Sequence, residues 1–413
     1  MPSEEPFDAG QRVDGPSPPT GGAVETAELY RRTVEYGFDR ARDALRRHGL
    51  AAALLFDPLN IRYVTGSSLM PVWTLHVLDR CLLLPVDGKP VLWEYPAATA
   101  GPAPQIDVSV RPTRSWSVFD NGARFAERAV RFAGEIHELL KEFGIPGDPV
   151  GVDRLDTPGF LALQESGLAI RPAQLAMEEA RAIKSADEID LIRRSVAVAD
   201  AAVTHVRDSL RPGMTENELW ATFTGHAFAN GGEYVECRLL SSGPRTNPWF
   251  QEATDRRIEP GEIVSFDTDL IGPFGYLADL SRAYLVGDAK PTARQQRLYD
   301  DAQQFLNEIM SELRPGAAFD ELGVRLSRQF PQQYHPQRYT YIAHGDGLSD
   351  EYPAILFDDQ YGGEVESGMV FSVEAYVGVE GEDEGVKLEE QVLVTDQGIE
   401  LLSHAPHESR LAR

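Results

Sequence analysis

Cysteine is nearly missing from these 413 residues: Cys81 and Cys237 are the only two. That excludes a disulfide framework and any Cys-rich zinc module. Basic residues are scarce as well, 39 against 65 acidic, for a formal charge of −26. Such a balance repels phosphate backbones and anionic lipid, so neither nucleic acid nor membrane is expected as a partner. No apolar run approaches the roughly 18 residues of a membrane span. The opening MPSEEPFDAG has neither the basic start nor the apolar core of a signal peptide, so a cytoplasmic setting is expected. What remains, 42% apolar and 25% charged, is ordinary globular composition. The length suits two or three domains of roughly 100–200 residues each, large enough to bury a core without staples.

Residues 1–24 are rich in Pro and Gly with no apolar period, and are expected to form a flexible arm. From Glu25 onward helical and strand patterns alternate. AELYRRTVEYGFDRARDALRRHGL reads as a helix stopped by Gly49, and RFAERAVRFAGEIHELLKEFGIPG as another ending at Gly144. AAALLF, CLLLPV and KPVLWEY read as buried strands. Near Ser185 the pattern changes. Ser185-Ala-Asp-Glu188 is a capping box, followed by a helical stripe of Ile189, Ile192, Val196, Ala199, Val203 and Val206. A second box, Thr215 to Glu218, opens a helix that stops at Gly231-Gly232, and a further helix spans about 293–313. Between and after them lie the strand-like runs YVECRLLSS, EIVSFDTDLI, YLADLSRAYLV, MVFSVEAYVG and VKLEEQVLVT. The boundary falls near 175–185, giving an N-terminal α/β domain over 25–180 and a C-terminal α+β domain over 181–413.

The chemistry-bearing residues lie in the second domain. In EIVSFDTDLI, Val264 and Phe266 point to one face of a strand, and Asp267 and Asp269 share the other. A hairpin centred near Phe274 sets Asp269 opposite Asp279. Glu374 and Glu389 interrupt two other apolar strands, and His344 stands in H-G-D-G at an expected strand-to-loop exit. An acidic chain scatters some clusters by chance, and a lone His is more often structural than a ligand. Five acids crowding apolar strands repel one another unless cations join them. Two divalent ions nearly cancel five carboxylates. Oxygen-rich ligands with one imidazole suit Fe, Mn, Co or Zn, about 3.5–4 Å apart in a dinuclear site.

The order Asp, Asp, His, Glu, Glu on strands resembles the creatinase, prolidase and methionine aminopeptidase superfamily, the pita-bread fold. D-T-D, A-D-L-S-R, H-G-D-G, S-V-E and K-L-E-E-Q-V carry that resemblance, with NIRYVTG similar to its N-terminal domain and RAIKSADEIDLIRRS to its interdomain helix start. It implies a creatinase-like N-terminal domain before a pita-bread metal domain. It also implies ligand roles for Asp267, Asp269, Asp279, His344, Glu374 and Glu389. Peptidases of this superfamily carry two further histidines. Here SSGPRTNPWFQEA has Trp249-Phe250 where one is expected, and HGDGLSDEYP has Asp350 and Glu351 at the place of the other. Without those proton donors an Xaa-Pro dipeptidase, aminopeptidase or creatinase-type hydrolase is disfavoured. A non-catalytic binding module is disfavoured by the complete ligand set.

The same departures resemble the pita-bread-fold dimethylsulfoniopropionate lyases. The likeness lies in SGPRTNPW, in FDTDLIGP-x-G, in Asp350 six residues past His344 and in Tyr339 five before it. It implies a homodimeric metal enzyme that cleaves a small sulfonium carboxylate to dimethyl sulfide and acrylate. Such a β-elimination needs a base, for which Asp350 is the candidate and Tyr339 the alternative. A sulfonium needs aromatic faces, each worth about 0.5–2 kcal/mol. Trp249, Phe250, Tyr339 and Tyr341 lie beside the ligand motifs, and Trp73 follows the YVTGSS turn.

Overall fold

The computed structural model describes residues 23–95 and 104–412. The expected arm lies outside them except for Ala23 and Val24, which open the first helix, Ala23–Arg47. That helix gives way to Gly49 at φ 66°, and the helix Phe125–Glu142 to Gly144 at φ 76°, a left-handed conformation that glycine adopts without strain.

The first domain is a six-stranded sheet in the order Ser109–Pro112, Val91–Glu94, Cys81–Pro85, Ala52–Leu55, Val150–Val152, Ile170–Pro172. Its three middle runs are continuous apolar stretches because both faces are covered. Alternate residues divide between two cores. Ala53, Leu55, Leu82 and Leu84 meet Ala41 and Leu45 of the first helix on one side. Ala52, Leu54, Leu83 and Trp93 meet Phe132, Ile136 and Leu140 on the other. The sequence missed the short helices Pro58–Thr65, Pro71–His76, Thr157–Glu165 and Gln174–Ala182, whose turns are too few to show a period.

Both capping boxes close as expected. Ser185 Oγ accepts from Glu188 N at 3.1 Å, and Glu188 returns a bond to Ser185 N at 2.9 Å. The stripe of the long helix Ala186–Ser209 enters the same core as the first domain, so the two domains share apolar packing.

The second domain holds two three-stranded sheets and one of five strands, ordered Asp350–Leu356, Tyr341–Asp346, Val370–Gly378, Gly385–Thr395, Gly398–Leu401. The hairpin register is centred on Phe274: Asp267 pairs with Ser281, Leu270 with Ala278 and Ile271 with Leu277. EIVSFDTDLI is not one strand, however. It breaks between Ile263–Asp267 and Leu270–Ile271, where Asp269 takes φ 35°. There Thr268 Oγ1 replaces the ladder, donating to Ala278 O at 3.0 Å and accepting from Leu280 N at 3.0 Å. YVECRLLSS divides likewise into Tyr234–Val235 and Leu240–Ser242, which join different sheets. His344 lies inside the strand Tyr341–Asp346 and not at its exit, and Asp350 opens the next strand.

Candidate metal centre

Strand register assembles the cluster. Glu374 and Glu389 face each other directly across Val370–Gly378 and Gly385–Thr395. Ser281 Oγ lies 2.7 Å from Asp267 Oδ1 and 2.8 Å from Glu389 Oε2, tying the hairpin to that pair. Asp269 N donates to Asp279 Oδ1 at 3.4 Å. His344 points Nε2 inward, 3.1 Å from Glu374 Oε1, 3.6 Å from Asp279 Oδ2 and 3.9 Å from Glu389 Oε1. Asp267, Asp279 and Glu389 form one group of converging ligand atoms, and His344, Glu374 and Glu389 another. Asp269 sits at the margin of both, accepting a bond from the Cys237 thiol.

Burial and mutual repulsion push the carboxyls of Asp269, Asp279 and Glu389 well above the usual range. Asp267 is buried too, but the Lys387 ammonium holds its carboxyl below that range. Glu389 Oε1 is buried with no hydrogen-bond partner, and Glu374 Oε1 has only the His344 imidazole beside it. Buried oxygens of this kind are costly unless something outside the protein chain satisfies them. Carboxylates with one imidazole are the donor set of a hard or borderline divalent cation, so the residues fit a metal.

The sequence missed Lys387, Asp346 and Cys237. Lys387 is fully buried, 2.8 Å from Glu374 Oε2, 2.9 Å from Glu389 Oε2 and 3.4 Å from Asp267 Oδ2. Its position two residues before Glu389 in a strand was a legible signal, since period two puts both on one face. Asp346, two after His344, shares that logic: its Oδ1 lies 3.1 Å from His344 Nδ1, while its Oδ2 accepts from Ser372 Oγ and Gln391 Nε2 at 2.7 Å each. Ending the strand at His344 hid it.

Of the other candidate residues, Asp350 Oδ1 lies 3.7 Å from His344 Nδ1 with 49% of its side chain exposed. Partial burial raises its carboxyl to about 6, with Asp346 and Glu374 adding to the effect and His344 opposing it. Tyr339 lies with its ring 5.2 Å from Lys387 Nζ, and the rings of Phe250 and Tyr341 lie tilted beside it at 5.1 and 5.6 Å. Trp249 is buried, its ring 5.5 Å from the same Nζ. Both rings therefore already face a cation supplied by the chain. Trp73 is not brought to the cluster. It is 42% exposed in the first domain, edge-on to Phe119 at 6.0 Å.

Known proteins share this fold. Residues 190–396 match the model of metallopeptidase family M24, and residues 38–183 match the creatinase/prolidase N-terminal domain. The prolidase of Thermococcus sibiricus superposes with a TM-score of 0.76 at 22% identity, over 92% of this chain and 98% of that one. The Xaa-Pro dipeptidase of Bacillus anthracis gives 0.73 at 21%, over 91% and 99%. Sequence similarity is higher to two proteins named dimethylsulfoniopropionate lyase DddP. The Roseovarius nubinhibens protein is 37% identical over 96% of this chain and 92% of its own length. The Roseobacter denitrificans protein is 36% identical over 90% and 86%. With both of its domains matched and its acid cluster assembled in the pita-bread manner, the chain belongs to metallopeptidase family M24, alongside these dimethylsulfoniopropionate lyases.

Proposed function

We propose that the protein is a metal-dependent carbon–sulfur lyase that cleaves dimethylsulfoniopropionate to dimethyl sulfide and acrylate. The observation that carries it is the 36–37% identity to the two DddP lyases over 90–96% of this chain, together with Asp350, a half-exposed carboxylate at the edge of the buried acid cluster. Asp267, Asp269, Asp279, His344, Glu374 and Glu389 would hold two divalent ions, of iron, manganese, cobalt or zinc. Lys387 supplies the one remaining positive charge that balances five carboxylates. When bound, the ions supply Lewis acidity toward the substrate carboxylate.

Asp350 takes the proton from the carbon next to that carboxylate. The freed pair forms the carbon–carbon double bond, and the carbon–sulfur pair leaves with sulfur as neutral dimethyl sulfide. Tyr339, its hydroxyl pushed above the ordinary tyrosine value by burial, serves as a ring face beside the site, 5.2 Å from Lys387 Nζ. Purified protein loaded with each metal and given dimethylsulfoniopropionate should release dimethyl sulfide into the headspace. Asp350→Ala should lower kcat by about 10²–10⁴-fold while keeping its metal. Substantial Xaa-Pro dipeptide cleavage with no dimethyl sulfide would refute the lyase.

The enzyme is a homodimer. An exposed apolar patch of Met70, Val72, Trp73, Val118 and Phe119 on the first domain supports this, and a partner's patch is the way Trp73 reaches a site. A single-chain mass by light scattering at micromolar concentration would count against it. Two free thiols, Cys81 and Cys237, support a cytoplasmic setting, which fractionation of the native host tests. Among the described residues no helix is long and apolar enough to cross a membrane.

A further inference from the structure

Asp350 and Glu351 are consecutive in a strand, so their side chains leave it on opposite faces. Asp350 turns to His344. Glu351 turns toward the segment that joins the domains, with 1% of its side chain exposed. Both its oxygens are taken there: Arg181 Nε donates to Oε2 at 2.7 Å and Lys184 Nζ donates to Oε1 at 2.8 Å. Arg181 is held in turn by Glu178 at 2.8 Å and by the side-chain carbonyl of Asn60. Asn60 Nδ2 donates to Asp153 at 2.9 Å, and Tyr352 N donates to Glu178 at 3.1 Å. A continuous polar network thus runs from the first domain, through Arg181-Ala-Ile-Lys184, to the residue beside Asp350.

A buried ion cluster is a poor source of stability, because desolvation offsets most of its attraction, and its best-attested use is to fix a register. This strand needs such a pin. Asp350–Leu356 is the edge of the five-stranded sheet, and its pairing slips where His344 faces Ala354 and Gly345 faces Glu351. The two glycines of H-G-D-G answer to the same residue. A Cβ on Gly347 would stand 2.1 Å from Glu351 Oε1, and one on Gly345 would stand 2.8 Å from the Glu351 carbonyl oxygen. The turn after His344 is shaped around Glu351.

We propose that Arg181, Lys184 and Glu351 are positioning residues that set the place of Asp350 relative to His344 and the reacting carbon. The interdomain segment is then part of the catalytic apparatus. The clamp rests on the assignment of Asp350 as the base of the lyase. A misplacement of about 1 Å costs up to ~10²-fold in rate.

The test uses the metal-loaded full chain carrying Glu351→Gln, Lys184→Gln or Lys184→Arg, with kcat and KM for dimethyl sulfide release, bound metal by elemental analysis and folding by circular dichroism. The two glutamine variants should lose about 10- to 100-fold in kcat, with KM and metal content little changed, and Lys184→Arg should recover most of the rate. Should Glu351→Gln fail to fold, the milder pair at Lys184 decides the outcome. Unchanged kcat in the folded glutamine variants overturns the clamp, as does a loss matched by lost metal or by a parallel rise in KM. A wild-type protein that releases no dimethyl sulfide overturns the lyase itself and the clamp with it, whereas an active wild type with unaffected variants sinks the clamp alone.

Discussion

Two neighbouring glutamates in one strand meet opposite fates. Glu390 turns to Arg282 at 2.9 Å and to Ser403 and His407; burial works to raise its carboxyl, but the guanidinium wins and holds it below the usual range. Glu389 turns the other way, into Glu374 and Asp267, and burial among like charges drives it well above that range. The first domain follows the pattern of Glu390. Arg80 and Glu94, both buried, meet at 2.5 Å, with Ser67 accepting a further bond from Arg80. Where the chain supplies both signs of charge, the ion pair closes within the protein and is structural. Where it gathers five carboxylates around a single lysine, the negative charge left over is built for a cation from outside.

The strongest way to break that contrast is to remove a ligand. Asp279→Ala and Glu389→Ala should lose most of the bound metal by elemental analysis, and the lyase rate with it, whereas Glu390→Gln should keep its metal. Retention in the first two would mean that the cluster is not the metal centre. Next, Arg80→Met leaves Glu94 buried without a counter-charge and should lower unfolding stability by about 3–5 kcal/mol in urea titration, with metal content per folded chain unchanged. The smallest effect is a pH slope. Burial raises the Glu188 carboxyl to about 7, so the folded chain keeps a proton there that the unfolded chain sheds above 4.5. Its contribution to stability is present in full below 4.5 and fades as pH rises through 7. Glu188→Gln, which preserves the capping box, should match wild type near pH 4 and exceed it near pH 8 by about 3 kcal/mol. Parallel stability curves would show that this glutamate does not change its charge on folding.

The long helices and both capping boxes were legible because their signals are local. So was the hairpin that opposes Asp269 to Asp279, since a register centre on Phe274 is a matter of counting. The clustering of Glu374 and Glu389 with the hairpin was inferred from their awkwardness in apolar strands and from family resemblance. Lys387 was passed over although its spacing from Glu389 was in plain view, because a single lysine in an acidic chain draws no notice until its burial is known. Asp346 was hidden by a strand taken to end two residues early. Trp73 was grouped with the aromatic candidates by residue type, and within one chain it lies elsewhere.

The sequence by itself determined which residues are unwelcome in an apolar strand, where helices start and stop, and that a carboxylate, Asp350, stands six residues after His344. Each follows from periodicity, from capping chemistry or from the count of residues between motifs. Only the tertiary structure decided which charges are paired and which are left facing their own kind, as in the divergence of Glu389 from Glu390. It alone brought Arg181 and Lys184 to Glu351, some 170 residues along the chain. Burial and partnership depend on what arrives from distant segments, and the spacing of neighbours along the chain carries no record of that.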